Sequence, residues 1–137
     1  MTEPDLDALF EAADVVRRRA HAPYSGFRVG AALVDEAGHI HAGCNVENAA
    51  YPVGTCAEAG AIAAMIAAGG RRIRAILVQA DSPEPVTPCG ACRQRIREFA
   101  GPGTPIHSAG LDGLRSHYTL EQLLPASFGP EHLVHGA

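Results

Sequence analysis

Cys56-Ala57-Glu58 and Pro88-Cys89-Gly90-Ala91-Cys92 are the two stretches that decide how the fold and chemistry of this chain are interpreted. A structural zinc site is closed by four protein ligands, whereas a catalytic zinc site has three and keeps a position for water. Cys56, Cys89 and Cys92 offer three thiol ligands, and Glu58 stands where it can serve the water instead of the metal. The spacing therefore predicts a catalytic site with one zinc ion per chain.

Each stretch is expected to begin a helix. Cys89 and Cys92 are three positions apart, so on a first helical turn their sulfurs lie on one side. If the helix that starts at Cys56 converges with them, three thiolates meet where both helix dipoles are positive, which favours the ionised thiol. Zinc with three thiolates has a formal charge of −1, and Arg93 is the candidate for a side chain that offsets it.

Other interpretations of these residues stay open. A lone Cys-x-x-Cys is also typical of a redox dithiol. Arg93 can equally be a solvated arginine on a helix, and Cys44 is best explained as a packing residue, because buried free cysteines are common. A zinc-stabilised module without activity would need a fourth protein ligand and would leave Glu58 without a use.

The bulk composition is that of one globular domain, which we expect to span residues 1–137. The chain has 137 residues, of which 47% are hydrophobic and 19% charged. A net charge of −4 argues against binding long nucleic acids but not against a neutral nucleoside. The apolar stretch 59–68 is too short to span a bilayer. Four cysteines and an acidic start without a secretory pattern predict a cytoplasmic protein.

Local patterns predict strands alternating with helices, which indicates an α/β layered domain. Glycine and proline clusters separate the segments, and Thr55 and Thr119 are the expected helix caps. We predict helices over 4–21, 56–68, from 89 to before 101, and over 119–124. We predict strands over 27–34, 39–44, 74–80, 105–109 and 114–118, and an irregular tail from 125.

The motifs together resemble the cytidine deaminases of the small, homotetrameric type. Cysteine as the first ligand, in place of histidine, is also similar to that class. The resemblance covers residues from about 20 to 133 in the family's order. It rests on Ala22-Pro-Tyr-Ser-Gly-Phe-Arg-Val-Gly-Ala-Ala-Leu33, Gly43-Cys-Asn-Val-Glu-Asn-Ala-Ala-Tyr51, Cys56-Ala-Glu58, Pro88-Cys-Gly-Ala-Cys-Arg-Gln94 and Leu123-Leu-Pro-Ala-Ser-Phe-Gly-Pro130.

The resemblance implies a fold and a reaction. The fold is a three-layer sandwich with a mixed five-stranded sheet flanked by helices. The reaction is the hydrolytic deamination of free cytidine and deoxycytidine to uridine and deoxyuridine, with release of ammonia, as in pyrimidine salvage. Zinc-bound hydroxide attacks C4 of the base, and Glu58 shuttles the protons. Partners other than the small-molecule nucleoside and further copies of the chain, such as nucleic acid or membrane, are not expected.

The resemblance also assigns substrate-binding residues. Asn45 and Glu47 would hold the ribose 3′-hydroxyl, although an Asn-x-Glu loop can also be turn chemistry alone. Phe27 would pack on the nucleoside, where the sequence alone allows a core strand residue. Phe128 would reach a neighbouring subunit's active site over the base; from sequence alone it is a lid or core anchor.

The pyrimidine edge is expected to meet the backbone, through the amide of Ala57 and the carbonyl of Thr55 or Pro88. In one place the chain departs from the resemblance. Many members of the class have an arginine directly after Cys-Ala-Glu, where this chain has Ala59. Compensation of the thiolate charge is then expected from Arg93 or from the helix ends.

Two enzymatic alternatives remain open at this stage. A zinc deaminase acting on a free base or on a cytosine-bearing antibiotic would share the metal site, but it should lack the ribose pair Asn45 and Glu47. Editing of a polynucleotide is disfavoured by the acidic charge balance.

Overall fold

The computed structural model describes residues 5–133 and contains one mixed sheet of five strands. The strands are β1 (Val29–Asp35), β2 (Ile40–Cys44), β3 (Ile73–Ala80), β4 (Pro105–Ala109) and β5 (Leu114–Thr119). Their order across the sheet is β2-β1-β3-β4-β5. Only β3 and β4 run parallel among these neighbours, and the other three pairings are antiparallel. The predicted mixed five-stranded sheet is confirmed.

Helices cover both faces of this sheet. They are α1 (Leu6–Arg17), α2 (Ala57–Ala67), α3 (Gly90–Phe99) and α4 (Leu120–Leu123), with short 3₁₀ turns at Tyr51–Val53 and Pro130–His132. α1 packs against β1, β2 and β3, whereas α2 packs on β2 and β1 and contacts α3, which in turn contacts α4. The result is the expected three-layer arrangement.

The two faces of the sheet carry separate apolar cores. Along β3, Ile76 and Val78 belong to the core under α2 and α3, whereas Ala75 and Leu77 belong to the core under α1. Successive side chains on a strand point to opposite faces, so a continuous apolar run is what a sheet covered on both sides requires. Leu77 is fully buried.

α1 is shorter than the sequence predicts. Asp5 caps it by accepting a hydrogen bond from the Ala8 N–H at 3.1 Å, and the helix ends at Arg17 instead of near residue 21. The expected start at Pro4 lies outside the described residues. Asp5 takes the capping position because its carboxylate can satisfy a free N–H of the first turn.

The two helices that carry the cysteine motifs begin where the motifs begin. Cys56 is the N-cap of α2 and Cys89 is the N-cap of α3, both with extended backbone. The prediction of Thr55 as the cap of α2 is wrong by one residue, and no side chain caps either helix. Gly69, with φ of +100°, ends α2 as expected, because glycine adopts that backbone conformation without strain.

Most remaining boundaries agree within one residue, but β1 begins at Val29, two residues later than predicted, so the exposed Phe27 lies before the strand. β4 has the predicted bounds, and Thr119 caps α4 by accepting from the Gln122 N–H at 3.2 Å. None of the helices in the described part of the chain combines the length and the apolar character needed to cross a bilayer.

Candidate active site

Three thiols meet where α2 and α3 begin. The sulfurs of Cys56 and Cys89 are 3.9 Å apart, and all three, with Cys92, lie within 4.8 Å of one another. Zinc–sulfur bonds of about 2.3 Å in a tetrahedron place sulfurs about 3.8 Å apart. The cluster therefore fits a zinc ion with three thiolates, and no fourth Cys, His, Asp or Glu of the described residues belongs to it.

The environment treats the three thiols differently. Burial raises the pKa of the Cys56 and Cys92 thiols, and the charge of Glu58 raises the pKa of Cys92 further. Burial acts in the same direction on Cys89, but hydrogen bonds from the backbone of Cys92 and Ala91 and from the neighbouring thiols leave its pKa lowered. Cys89, at the exposed N-terminus of α3, is the thiol best prepared to ionise.

Glu58 lies in the first turn of α2 and is only 4% exposed. Burial raises the pKa of its carboxyl, against the opposing effects of its own backbone N–H, a hydrogen bond with Cys92 and the charge of Arg95. A carboxyl group whose pKa is raised toward neutrality can accept and return a proton, which is what general acid–base catalysis needs.

A cavity of about 620 Å³ opens beside the cluster. Cys56, Cys89 and Glu58 line it, and so do Phe27 and Ala57. The cavity is large enough for a small organic ligand and is bordered mostly by apolar atoms, as small-molecule sites are. The structure thus brings together the thiol cluster, the candidate proton carrier and a cavity large enough for a small ligand.

Asn45 borders the same cavity and joins two strand ends. Its side-chain carbonyl accepts from the Val29 N–H at 2.8 Å, and its amide nitrogen donates to the Phe27 carbonyl at 2.8 Å. An amide has two N–H donors and two acceptor lone pairs, so one of each remains for a ligand. Asn45 therefore makes the local backbone hydrogen bonds that the sequence allows for, and its side chain still has one donor and one acceptor site for a ligand.

Glu47 also borders the cavity and holds the preceding turn. Its carboxylate accepts the N–H groups of Tyr24 and Ser25 at 3.0 and 3.1 Å, together with the Ser25 hydroxyl. The Ser25 hydroxyl is the main cause of a lowered pKa of this carboxyl, which is therefore ionised at neutral pH. Asn45 and Glu47 both line the cavity, and their role in holding a ribose hydroxyl, which the resemblance implies, stays a prediction.

Arg93 and Arg95 of α3 have different hydrogen-bond partners, which the sequence does not show. Arg93 donates to the carbonyls of Pro88 and Leu123, both at 2.8 Å, and to the Thr87 hydroxyl at 3.0 Å. It fixes the loop that enters the cysteine motif, and its role in offsetting charge stays a prediction. The guanidinium that bonds to a ligand sulfur belongs to Arg95.

Phe128 lies outside the cavity of its own chain. It is 57% exposed and stacks on His132 with ring centroids 5.1 Å apart, while its carbonyl accepts from the Gln94 side chain at 2.9 Å. Within a single chain this ring does not reach the thiol cluster's cavity. Its expected place over a neighbouring subunit's ligand stays a prediction.

Sequence reasoning missed several lining residues. Tyr24 and Tyr51 border the cavity with ring centroids 5.9 Å apart, and Thr87 lines it on the side of α3. Tyr24 and Tyr51 belong to segments that carry the resemblance, but no role is predicted for either of them. A usable signal was that each is an aromatic residue inside a polar turn, a position that packing alone does not explain.

Comparison with known proteins agrees with this geometry. The profile of the family described as "Cytidine and deoxycytidylate deaminase zinc-binding region" matches residues 4–106. A cytidine deaminase of Sporosarcina psychrophila is 42% identical, over 97% of this chain and 98% of the relative.

Solved structures show the same likeness. The crystal structure of cytidine deaminase from Burkholderia pseudomallei superposes with a TM-score of 0.83 at 42% identity, covering 93% of this chain and all of that one. The cytidine deaminase from Mycobacterium leprae gives 0.76 at 39% identity, covering 90% of this chain and 99% of that one.

The fold and the thiol cluster together define a zinc-binding deaminase domain. The chain belongs to the cytidine and deoxycytidylate deaminase family, and it is a deaminase, a hydrolase in which zinc is the cofactor.

Proposed function

We propose that this chain hydrolyses free cytidine and deoxycytidine to uridine and deoxyuridine, with release of ammonia. The observation that carries the proposal is the buried Glu58 beside three clustered thiols, at the wall of a cavity that also presents Asn45 and Glu47. Proton carrier, metal ligands and polar groups for a sugar border one ligand-sized space.

The chemistry of the chain's own groups follows from this placement. Zinc held by Cys56, Cys89 and Cys92 would supply a Lewis acid that makes water a nucleophile near neutral pH. Glu58 accepts a proton as water adds to C4 of the base and passes it to the ring nitrogen N3. It then carries a second proton from the new hydroxyl to the amino group, which leaves as ammonia. Water is consumed once, and Glu58 ends as it began.

The substrate is held from both ends. The free N–H of Asn45 would donate a hydrogen bond to the ribose 3′-hydroxyl, the carboxylate of Glu47 would accept one from that hydroxyl, and Phe27 would pack on the nucleoside. The Ala57 amide and a carbonyl of Thr55 or Pro88 would meet the pyrimidine edge. Reaction requires such positioning, because misplacement of the reacting carbon by about 1 Å can cost a hundredfold in rate.

The charge of the cavity favours a nucleoside over a nucleotide. Among the described residues that line it there is no lysine, arginine or histidine, whereas Glu47 and Glu58 are both present. A phosphate group would meet a carboxylate without a cation to offset it. The same reasoning, with the net charge of −4, disfavours a polynucleotide.

The wider setting of the reaction is part of the same proposal. Residues 1–137 form one catalytic domain that assembles as a homotetramer, in which Phe128 closes the active site of a neighbouring subunit. The enzyme works in the cytoplasm, in pyrimidine salvage. The exposed ring of Phe128, away from its own chain's cavity, supports a role across a subunit boundary.

The test is a substrate panel followed by ultraviolet absorbance and ammonia release. Cytidine and deoxycytidine should be converted, and deoxycytidine 5′-phosphate, free cytosine and a cytosine-containing oligonucleotide should react much more slowly. Preference for the phosphate or for free cytosine would contradict the nucleoside assignment. No ammonia from any of the five would contradict the proposed reaction.

A further inference from the structure

Arg95 contacts the sulfur of Cys92 directly, and this contact is not part of any motif described above. Its Nη1 donates to the Cys92 sulfur at 3.3 Å, one helical turn along α3. Hydrogen bonds to sulfur are longer than those to oxygen, so this distance is a well-formed bond. The ionised sulfur is a better acceptor than the thiol, because charge assistance strengthens such a bond.

We propose that Arg95 is the positioning residue of the zinc centre: it orients the Cys92 thiolate and supplies the positive charge that the loaded site lacks. This inference rests on the zinc site and not on the identity of the nucleoside. It concerns this chain's own arrangement, in which Ala59 offers no charge near the cluster.

The need for such a charge follows from the ligand set. Loading zinc exchanges three thiol protons for the metal and leaves a formal charge of −1 on the centre (+2 −3). Cys92 is fully buried, and Glu58 beside it is also acidic and buried. Negative charge on the buried Cys92 sulfur is stabilised by a cation in direct contact.

The other two arginines of α3 make their hydrogen bonds to groups outside the thiol cluster. The guanidinium of Arg93 bonds to Thr87, Pro88 and Leu123, all of them oxygen acceptors. Arg97 donates to the Ser127 hydroxyl and pairs with Glu131 at 2.6 Å. Among the arginines of α3, Arg95 is thus the one whose side chain bonds to the thiol cluster.

Ala59 is a position on α2 at which a substituted arginine can be tested as a replacement for the charge of Arg95. Ala59 follows Cys56 by three positions on α2, as Arg95 follows Cys92 on α3. The two residues also line one shallow hollow on the surface between these helices. A long cationic side chain at Ala59 would therefore start from the wall of the hollow that Arg95 also lines.

The experiment measures zinc affinity by competition with a chelator, under reducing conditions at fixed pH. The proteins are the wild type, Arg95→Gln, Arg95→Lys and the double variant Ala59→Arg/Arg95→Gln. Arg19→Gln is the matched control, because Arg19 is exposed and lies beyond α1, which covers the opposite face of the sheet. Circular dichroism checks the fold of each variant. Arg95 is exposed, so its removal should not disturb the core.

Loss of a residue that orients a metal ligand typically costs about 10- to 100-fold in metal affinity. We therefore expect Arg95→Gln to bind zinc about tenfold or more weakly, and Arg19→Gln to bind it like the wild type. Arg95→Lys and the double variant should each recover part of the loss. After cobalt substitution, the sulfur-to-cobalt charge-transfer band should shift in Arg95→Gln, because the sulfur has lost a hydrogen bond.

Two results would overturn the inference. One is wild-type zinc affinity in Arg95→Gln; the other is a loss in Arg95→Gln that neither lysine nor the relocated arginine reduces, since the charge would then not matter. These readouts do not use a nucleoside. A chain that fails to deaminate cytidine but shows the expected affinities would contradict only the proposed function.

Discussion

Gly43 of β2 lies against the backbone of Ala61 in α2 so closely that a Cβ on Gly43 would stand 2.3 Å from the Ala61 nitrogen. The same atom would stand 2.6 Å from the Gly60 carbonyl carbon and 2.7 Å from the Ala57 oxygen. Only glycine allows this approach, because every neighbour is backbone and cannot rotate away. The contact sets the distance between the sheet and the helix that carries Cys56 and Glu58.

Gly43→Ala should therefore push α2 outward and lower the free energy of unfolding by about 1–3 kcal/mol or more, the usual cost of overpacking. It should also weaken zinc binding, because Cys56 moves with α2. Urea unfolding and zinc titration measure the two effects. Gly103→Ala is the control, since a Cβ there meets nothing within 4 Å. Equal stability of the two variants would contradict this account of the packing.

Glu58→Gln should remove the proton carrier and leave the fold. Glutamine has nearly the same shape but cannot accept and return a proton, so turnover should fall roughly a hundred- to ten-thousandfold. Zinc content should stay at that of the wild type, because Glu58 is not one of the residues that form the metal-binding cluster. Steady-state rates and metal analysis on one preparation decide the matter, and near-normal turnover would exclude Glu58 as the shuttle.

Phe128→Ala should raise the KM for cytidine by roughly tenfold, the size of a lost base–aromatic stack. Leu133→Ala is a matched control, because Leu133 is another exposed apolar residue near the same end of the chain. Unchanged KM would remove Phe128 from the site.

Sharing of Phe128 between subunits has its own test. When Phe128→Ala and Glu58→Gln chains are mixed and reassembled, some intact Glu58 sites gain an intact Phe128 from the other chain. We expect a fraction of sites with wild-type KM. A mixture that behaves as the sum of the two separate variants would mean that each chain completes its own site.

Asp35 should give the fold an acid-sensitive component. Burial acts to raise the pKa of this carboxyl, but hydrogen bonds from the His41 ring at 2.7 Å and from the N–H groups of His39 and Ala37 leave it below 3.8, its ordinary value. A lowered pKa in the folded state adds stability above the unfolded value and loses it as pH falls through the folded one.

Asp35→Asn should then cost about 1.5–3 kcal/mol at pH 7, the contribution of hydrogen bonds to a charged group. The difference from the wild type should shrink as the pH falls below 3.8. Urea unfolding at several pH values measures it, with the exposed Asp81→Asn as control. A difference that does not change with pH would contradict the assignment.

Much of this fold is predictable because its signals are local. β4 has the expected bounds because proline and glycine punctuate a short apolar run, and Thr119 caps α4 because its hydroxyl meets a free N–H. The thiol cluster is predictable for the same reason, since Cys56 and Cys89 sit at helix starts.

The misses have physical causes as well. Thr55 is the better capping side chain, but its backbone pairs with that of Val46 and Cys56 takes the N-cap position, which a local pattern does not reveal. Arg93, Arg95 and Arg97 occupy alternate positions of one helix. Arg95 lies one turn from Cys92, but only the structure shows that the side chains of Arg93 and Arg97 bond elsewhere. The expected place of Phe128 over a neighbouring subunit's ligand comes from the resemblance and not from a local pattern, and it stays a prediction.

The most direct test of the central claim is to strip the chain of zinc with a chelator, return zinc in steps and follow conversion of cytidine to uridine at each step. The account predicts negligible turnover without zinc and a linear rise that stops at one zinc per chain, with no recovery in Cys89→Ala. Full turnover by the zinc-free chain, or a plateau unrelated to one zinc per chain, would contradict it.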